Sequence, residues 1–359
     1  MSGTGLTTRG ELEVDLAAIR HNYRALKEHS APGRCAAVIK ADAYGAGAVS
    51  VARALGQEGC RVFFVADARE GVALRQEMHD AEIMLLDGLS DTDLPAVKEA
   101  GLIPVLNSPR QHQRWQAAGG GPTVWQVDSG MNRLGMAKAE AEALAGEDRP
   151  PDLLLTHFSC ADEIDKLAHA QQLKHIAELR AAFPDVSMSL GNTAGIQLGA
   201  AGRSSLSRCG IGLFGVNPAS ANPGPGVMLK SAVRLRARVL QHRSIPAGTP
   251  VGYGATWYAE DACHLLTVAL GYADGIPRRL GNRGSATFDG TALPMVGRVS
   301  MDYLTLDASG LEARQREDAR WVDLFADATA LDRLASEADT ISYELLARLG
   351  PRIRRRYLT

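Results

Sequence analysis

The segment "AVIKADAYGAG" (residues 37–47) places a lysine directly after a run of apolar residues and directly before a turn rich in alanine and glycine. A short apolar run that stops at such a turn is typical of a buried β-strand. Lys40 is therefore expected at the end of a strand, where its side chain begins in a core. The Ala/Gly-rich segment beside it predicts a flexible turn.

The same unit recurs along the chain, because short apolar runs alternate with longer segments of helical periodicity. The runs are "AAVI" (36–39), "VFFV" (62–65), "IMLL" (83–86), "IPVL" (103–106), "TVWQV" (123–127), "DLLLT" (152–156), "VSMSL" (186–190) and "SLSRC" (205–209). Eight such units predict an α/β fold, a closed (β/α)8 barrel, with an open doubly wound sheet as the alternative. In a barrel, chemistry lies on the loops after the carboxyl ends of the strands, which is where Lys40 falls.

Two helices are predicted from their spacing. "ELEVDL" (11–16) indicates a short strand, and Asp15 is the expected N-cap of a helix that follows it. Apolar residues recur at helical spacing in both helices: Leu16, Ile19, Tyr23 and Leu26 in the first, and Leu167, Leu173, Ile176 and Leu179 in "DKLAHAQQLKHIAELRAAF" (165–183). Each set predicts a buried stripe.

The pattern changes at "NPASANPGPGVM" (217–228), where prolines and glycines mark a connection. Short β-rich runs follow it, and "SYELLARLG" (342–350) predicts a last helix. We therefore expect a flexible tail over 1–11, a barrel over 12–229 and a smaller, mostly β domain over 230–359. The basic cluster "RIRRRY" (352–357) is interpreted as a solvated terminus rather than a binding patch.

Composition limits the class of protein. The 359 residues are 45% hydrophobic and 22% charged, with a formal net charge of -2, which argues against a nucleic-acid partner. Five scattered cysteines without close pairing are typical of a reduced, cytoplasmic protein. The sequence has no apolar signal segment, no 18-residue apolar run and no cluster of metal ligands, so neither a membrane span nor a metal site is expected.

Lys40 allows two interpretations from position alone. One is a lysine whose stem lies along apolar surface while its amine reaches water. The other is a Schiff-base lysine, whose partial burial favours the neutral amine that attacks a carbonyl.

The surrounding sequence favours the second interpretation. "VIKADAYGAG" resembles the pyridoxal-phosphate attachment segment of the alanine racemases, enzymes built as a barrel plus a β domain. The resemblance continues in order through "VDSGMNRLGM" (127–136), "THFSCADE" (156–163), "GNTAG" (191–195), "SRCGIGLFG" (207–215), "VGYGATW" (251–257), "LGYADGIPRRL" (270–280), "VGRVSMDYLTLD" (296–307) and "TISYELL" (340–346). Eight further segments in sequence order make it specific to the family.

The resemblance implies a homodimer with shared active sites, and it implies a role for each matching residue. Lys40 would hold the cofactor and act as one base, and Tyr253 of the partner subunit would be the other. The remaining cofactor contacts would be Tyr44, His157, Thr193, Arg208, Gly210, Ile211 and Tyr343. Arg133 and the backbone N–H of Met301 would bind the substrate carboxylate, while Tyr272, Arg298 and Asp302 would narrow the entrance.

Arg208 bears on the type of reaction. Arginine is always charged and only donates, so it leaves a facing ring nitrogen as an acceptor, whereas a carboxylate would keep that nitrogen protonated. Weaker electron withdrawal suits a short-lived carbanion that regains its proton at the same carbon. Decarboxylases of the same architecture should carry the carboxylate, so Arg208 argues against them.

We therefore expect an isomerase that interconverts L-alanine and D-alanine by a two-base mechanism. The alternatives are a racemase that also accepts serine and a carrier that binds pyridoxal phosphate without turnover; carriers would lack the β domain. Three positions depart from the family pattern: Gln126 stands for a lysine that becomes carbamylated, Ser300 for a frequent cysteine and Ala46 for a common histidine. Arg133 must then be braced by something other than a carbamate.

Overall fold

The computed structural model describes residues 7–197, 199, 204–218 and 226–359, and it divides into two compact units. The barrel unit comprises Ile19–Ala43 and, as far as it is described, Ala48–Lys230. The β unit comprises the described residues up to Ala18, the short segment Tyr44–Gly47, and Ser231–Thr359.

The barrel unit contains an eight-stranded sheet whose strands run parallel in the order β8-β7-β6-β5-β4-β3-β2-β9. The strands are β2 (Arg34–Val38), β3 (Val62–Val65), β4 (Glu82–Leu85), β5 (Ile103–Leu106), β6 (Val124–Gln126), β7 (Leu153–Leu155), β8 (Ser187–Ser189) and β9 (Leu206–Cys209). The Ser205 N–H donates to the Met188 carbonyl (2.7 Å), which brings β8 beside β9 and nearly closes the sheet. The predicted barrel is confirmed, and each strand lies within two residues of its predicted position.

Helical segments alternate with these strands. They are α1 (Leu16–His29), α2 (Lys40–Tyr44), α3 (Ala48–Gln57), α4 (Ala68–Arg75), α5 (Leu94–Glu99), α6 (Pro109–Ala117), α7 (Lys138–Glu147), α8 (Leu167–Ala182) and α9 (Thr193–Gln197). The Asp15 carboxylate accepts the Ala18 N–H (2.8 Å), so the predicted N-cap of α1 is confirmed. The inward-facing residues, such as Val38, Phe64, Val105 and Leu155, form one buried apolar cluster, as expected of alternating strand positions.

The β unit is built on a second sheet, in the order β15-β14-β17-β10-β1-β18, with β13 pairing with both β10 and β16. The strands of the β unit are β1 (Gly10–Asp15), β10 (Val233–Ile245), β11 (Pro250–Val251), β12 (Trp257–Tyr258), β13 (Cys263–Val268), β14 (Ser285–Phe288), β15 (Thr291–Pro294), β16 (Leu304–Asp307), β17 (Trp321–Phe325) and β18 (Ile353–Leu358). Strands β11 and β12 pair with each other in a separate two-stranded sheet. Its helices are α10 (Ala313–Asp318), α11 (Ala328–Glu337) and α12 (Ser342–Ala347). The predicted β-rich second domain is therefore confirmed.

The start of the chain differs from the prediction. β1 pairs antiparallel with β10 and parallel with β18, so residues 12–15 belong to the sheet of the β unit rather than to the barrel. Gly10 and Glu11 lie in this strand and are buried, so a flexible tail over 1–11 is wrong for them; residues 1–6 of that tail lie outside the described residues. An alternating pattern shows that a strand has a buried face but does not identify its partner strands.

The basic cluster at 352–357 forms most of β18, and Arg352, Arg354 and Arg356 are exposed, so the expected solvated residues lie on and beside an ordered strand. Its arginines face acidic residues of the neighbouring strand: Arg356 lies 3.1 Å from the Glu13 carboxylate and 3.5 Å from that of Glu11. Arg236 on β10 donates to Glu11 at 2.6 Å. Within the cluster, Arg356 and, at 3.9 Å, Arg354 thus form cross-strand ion pairs, whereas Arg355 donates to backbone carbonyls.

The buried stripe predicted for α8 is corrected. On α8, Ile176 and Leu179 are buried, but Leu167 is 72% exposed and Leu173 is exposed as well, so the buried stripe covers only half of the predicted positions. Among the described residues, no helix is both long and apolar enough to span a membrane.

Candidate active site

Lys40 lies just beyond the carboxyl end of β2, as predicted, but the turn after it has an unexpected form. Ala41, Asp42, Ala43 and Tyr44 all have φ between 51° and 56°, which is a single turn of left-handed helix. Left-handed backbone costs a residue with a Cβ roughly 1–2 kcal/mol. The turn is therefore a strained, specific structure rather than the flexible turn that alanine and glycine predicted.

Hydrogen bonds from acidic side chains hold this turn. The Glu70 carboxylate accepts the N–H groups of Ala41 (2.7 Å) and Ala66 (2.8 Å), and the Asp42 carboxylate accepts that of Ala48 (2.7 Å). Because both ends of the turn are fixed, the backbone from which Lys40 projects is fixed too.

The surroundings of Lys40 favour its neutral amine. Burial lowers the pKa of Lys40, and the nearby positive charge of Arg133 lowers it further, although Asp87 and Glu70 oppose the shift. A lysine with a lowered pKa can act as a nucleophile or a base near neutral pH.

Arg208 on β9 is 3% exposed and is held by acceptors at the ends of two neighbouring strands. Its Nη1 donates to the Ser189 carbonyl (2.9 Å) and hydroxyl (2.6 Å), and its Nη2 donates to the Thr156 carbonyl (2.7 Å). Burial lowers the pKa of Arg208 to about 10, so the side chain stays charged at neutral pH. Among the described residues its Nε–H has no acceptor and no carboxylate forms an ion pair with it.

His157 follows β7 and accepts a hydrogen bond from Arg208. The Nη2–Nδ1 distance is 3.1 Å, and since arginine can only donate, Nδ1 must be the unprotonated nitrogen. Burial and then the positive charges of Arg208, Arg133 and Lys40 lower the pKa of His157 to about 3. The imidazole is therefore neutral, with its proton on Nε2, which is free to donate.

A cluster of donors lies at the ends of β8 and β9. The N–H groups of Gly210 (3.0 Å) and Gly212 (3.5 Å) donate to the Thr193 hydroxyl oxygen. Ile211 lies between them at the start of a short 3₁₀ helix, Ile211–Phe214, and is buried. The predicted phosphate contacts Thr193, Gly210 and Ile211 are thus brought together.

Arg133 projects from a loop that follows β6 and is held by hydrogen bonds within the loop. The Asp128 carboxylate accepts the N–H groups of Gly130, Met131 and Asn132 at 2.8–2.9 Å, and the buried Gln126 amide donates to the Leu134 carbonyl (3.0 Å). Gln126 therefore braces the loop backbone next to Arg133. The Arg133 side chain itself is exposed.

Gln172, on α8, is a structural residue that the sequence did not identify. It is fully buried, and its Nε2 donates to the His157 carbonyl (2.7 Å) and the Ser129 hydroxyl (3.0 Å), while its Oε1 accepts the Ser159 N–H (2.9 Å). The Ser129 hydroxyl also lies 2.8 Å from that of Thr156. One buried amide thus ties the Arg133 loop to the His157 segment; a glutamine among several on a helix gives no local signal of this role.

The β unit carries the other predicted residues. Tyr253 is 71% exposed and lies between Gly252 and Gly254, both with left-handed φ (74° and 73°). A Cβ on Gly254 would lie 2.9 Å from Nη1 of Arg298, so Arg298 packs against the turn that presents Tyr253.

Tyr272 and Met301 lie on two loops of the β unit that are hydrogen-bonded to each other, and both side chains are exposed. Among the described residues the Met301 N–H has no acceptor, and Asp302 is paired with Arg352. Tyr44 and Tyr343, also in this unit, have ring centroids 6.0 Å apart.

The donor set of the barrel unit fits the cofactor that the resemblance implies. Pyridoxal phosphate needs an amine for its aldehyde, donors for its phosphate and a partner for its ring nitrogen, and these correspond to Lys40, the Thr193 cluster and the unpartnered Nε–H of Arg208. The cationic surroundings also suit an anionic ligand. No group of three or more His, Cys, Asp or Glu side chains that could hold a metal occurs in the described part of the chain.

Comparisons with known proteins identify the family to which the chain is similar. Residues 14–218 match the family model "Alanine racemase, N-terminal domain", and residues 232–357 match "Alanine racemase, C-terminal domain". The chain is 43% identical to a catabolic alanine racemase of Mesorhizobium japonicum (97% of this chain, 93% of the relative) and 42% identical to the alanine racemase of Rhodospirillum rubrum (96% and 95%). The crystal structure of the Bartonella henselae alanine racemase with covalently bound pyridoxal phosphate superposes with a TM-score of 0.88 at 35% identity (98% of this chain, all of that one).

The Gln172 network yields a prediction with a matched control on the next residue. Gln172→Leu should lower the free energy of unfolding by about 1–3 kcal/mol, because the buried groups that it satisfies lose their partners. Gln171→Leu changes an exposed neighbour and should stay within about 0.5 kcal/mol of the wild type. Urea unfolding of the three proteins measures the difference; equal stability of both variants would contradict the bracing role.

The lowered pKa of His157 predicts its titration. In the unfolded chain a histidine binds its proton below about pH 6.5, whereas folded His157 does so only near 3, so stability should decrease as the pH falls from 6.5 towards 3. The His157 ring signal in an NMR titration should accordingly not move between pH 5 and 8. Arg208→Gln should raise the pKa, while Arg149→Gln on the surface should not. A wild-type ring that titrates near pH 6.5 would refute the assignment.

Proposed function

The chain belongs to the alanine racemase family, and from this premise we propose that it interconverts L-alanine and D-alanine with pyridoxal 5'-phosphate as its cofactor. The observation that carries the proposal is the buried, charged Arg208, whose Nε–H has no protein acceptor and which lies beside a neutral His157 near a lysine of lowered pKa. The proposed enzyme is an isomerase.

The cofactor would be held by the residues of the donor set. Lys40 would bind it covalently, Arg208 would donate to its ring nitrogen, and Thr193, Gly210 and Ile211 would donate to its phosphate. Tyr44 and Tyr343 would complete the phosphate contacts, and His157 would lie against the ring. When bound, the cofactor supplies the electron sink that makes the Cα proton of an amino acid acidic.

Two side chains would move that proton. Once the substrate amine has displaced it from the cofactor, the Lys40 amine would take this proton from, or return it to, Cα on one face, and its lowered pKa increases the neutral fraction of the amine. Tyr253 of the partner subunit would serve the other face. A free phenol has a pKa near 10, so it needs a donor that stabilises the phenolate. The Nε2–H of His157 can supply this donor, because Arg208 holds Nδ1 as the acceptor.

Arg208 favours racemisation over other reactions of the same cofactor. A guanidinium that can only donate keeps the ring nitrogen unprotonated. Charge at Cα would then be stabilised only weakly, which would favour rapid return of the proton to Cα over slower outcomes such as decarboxylation.

Substrate recognition would use two contacts to the carboxylate, from Arg133 and from the Met301 N–H. The forked guanidinium of Arg133 suits a planar carboxylate, and the Met301 N–H is free to donate. Tyr272, Arg298 and Asp302 would narrow the entrance, which favours the methyl side chain of alanine; serine should react more slowly.

We also propose that the enzyme is a cytoplasmic homodimer with shared active sites. Tyr253, Tyr258 and Tyr303 are large side chains left exposed on the β unit, and such surface is typical of a subunit interface. All five cysteines are free thiols, including Cys35 and Cys209, whose sulfur atoms are only 3.5 Å apart; this suits a reducing compartment.

Incubation with L-alanine in D2O tests the reaction directly. The protein loaded with pyridoxal phosphate should form D-alanine that carries deuterium at Cα, because the proton is returned from a base that exchanges with solvent. Chiral chromatography with mass spectrometry measures both products. Borohydride reduction before digestion should leave the cofactor on the peptide that contains Lys40.

Lys40→Ala is the control, and it should show neither the label nor the reaction. Absence of D-alanine with the loaded wild-type protein would overturn the proposed function. A reduced label on another lysine would overturn only the assignment of Lys40.

The shared site predicts complementation between inactive chains. Lys40→Ala and Tyr253→Phe proteins should each be inactive, but a mixture should regain up to about a quarter of the wild-type activity, since half of the randomly paired dimers have one intact site of two. Activity after verified subunit exchange is the measurement. Tyr258→Phe, an exposed tyrosine of the same unit, should remain active alone. No recovery in exchanged dimers would show that Tyr253 serves its own chain.

A further inference from the structure

Arg352, the first residue of the basic cluster, does not join the cross-strand pairs of β18. Its Nε donates to Oδ1 of Asp274 (2.8 Å), and its Nη1 donates to Oδ1 of Asp302 (2.7 Å). The two carboxylates belong to different loops, one following Tyr272 and the other following Met301. One guanidinium therefore joins both loops.

The bond to Asp274 is the stronger attachment, because this carboxylate is 0% exposed. Its Oδ2 accepts the Gly271 N–H (3.0 Å), and its backbone carbonyl accepts the Gly350 N–H (3.1 Å). A buried carboxylate requires an opposite charge, and Arg352 is the only basic group within ion-pair distance in the described part of the chain.

The backbones of the two loops are in direct contact. The Tyr272 N–H donates to the Ser300 carbonyl and the Ala273 N–H to the Met301 carbonyl, both at 3.0 Å. A Cβ on Gly271 would lie 2.4 Å from the Met301 carbonyl oxygen, so the approach leaves no room for a side chain. The spacing between Tyr272 and Met301 is thus fixed by backbone contact between the two loops. Arg352 adds a side-chain link between the same loops, through Asp274 and Asp302.

Asp302 is held from a second side as well. Nη2 of Arg9 donates to its carbonyl (2.6 Å), and the Arg9 guanidinium stacks 5.5 Å from the centre of the Tyr303 ring. The loop that carries Met301 therefore has two arginine attachments, of which only Arg352 reaches the Tyr272 loop.

We propose that Arg352 is a positioning residue that fixes the spacing between the Met301 N–H and the Tyr272 ring, and so restricts the substrate to a small side chain. The inference rests on the proposed function, in which Met301 and Tyr272 face the substrate. Arg352 touches neither substrate nor cofactor; it acts through Asp274 and Asp302.

The test compares Arg352→Lys and Arg352→Ala with the matched control Arg354→Ala, which removes a more exposed arginine two residues further along the chain, on β18. KM and kcat for L-alanine and L-serine are measured on protein loaded with pyridoxal phosphate. Arg352→Ala should raise the KM for alanine about tenfold with a smaller change in kcat. The reason is that the Met301 N–H, which would donate to the substrate carboxylate, is misplaced. Its preference for alanine over serine should fall about tenfold.

In Arg352→Lys, the KM for alanine and the preference for alanine over serine should lie between those of the wild type and Arg352→Ala. An ammonium keeps the positive charge but lacks the forked geometry that bonds both carboxylates at once. Asp302→Ala breaks only one arm and leaves Asp274 paired, so it should lose selectivity and still fold. Hydrogen exchange of the Ala273 amide, which needs no turnover, should accelerate in both Arg352 variants and in Asp302→Ala.

Unchanged KM, selectivity and exchange in folded Arg352→Lys and Asp302→Ala would overturn the proposal, even if Arg352→Ala fails to fold. An equal loss of selectivity in Arg354→Ala would overturn the proposal too, because the loss would then come from a general disturbance of β18. Wild-type protein that does not racemise alanine would instead refute the proposed function, and with it the substrate role of the loops.

Discussion

The site depends on a positive charge buried in the barrel without an acidic partner. Arg208 is satisfied by two carbonyls, one hydroxyl and one imidazole, and no carboxylate of the described residues pairs with it. Burying an unpaired charge is costly unless every donor is satisfied or a ligand supplies the missing acceptor. The strand ends around Arg208 provide all but one of these acceptors, and the remaining Nε–H is the donor that the proposed cofactor would engage.

The charge of Arg208 affects the protonation of the titratable residues near it. His157 can lie next to Arg208 only as a neutral acceptor, and its proton is then confined to Nε2. Lys40 and Arg133 add further positive charge, which favours the neutral amine of Lys40 and an anionic ligand. Gln126 fits the same scheme: its neutral amide braces the Arg133 loop through the Leu134 carbonyl, whereas a carbamate would have brought a negative charge into the site.

Much of this could be predicted from the sequence, for physical reasons that also explain the failures. Buried parallel strands are continuous apolar runs, so the barrel strands and the lysine at a strand end were evident. The left-handed turn after Lys40 was not, because alanine disfavours that conformation and Glu70, one of the two carboxylates that hold the turn, lies 29 residues away along the chain. The partners of β1 and β18 were missed for a similar reason: strand pairing is decided by long-range contacts that local patterns do not contain.

The sequence singled out the residues proposed to react or to bind the cofactor, but it did not indicate the residues that brace them. Lys40, His157 and Arg208 stand in short motifs because their chemistry fixes their type and their place at strand ends. Gln172 and Arg352 act through a few hydrogen bonds to loops that are distant in sequence, so nothing around them in the chain indicates the role. Arg352 even lies in a cluster whose other arginines form cross-strand ion pairs (Arg354 and Arg356) or donate to backbone carbonyls (Arg355). Distinguishing it requires the position of a fully buried carboxylate, Asp274, which only the folded chain defines.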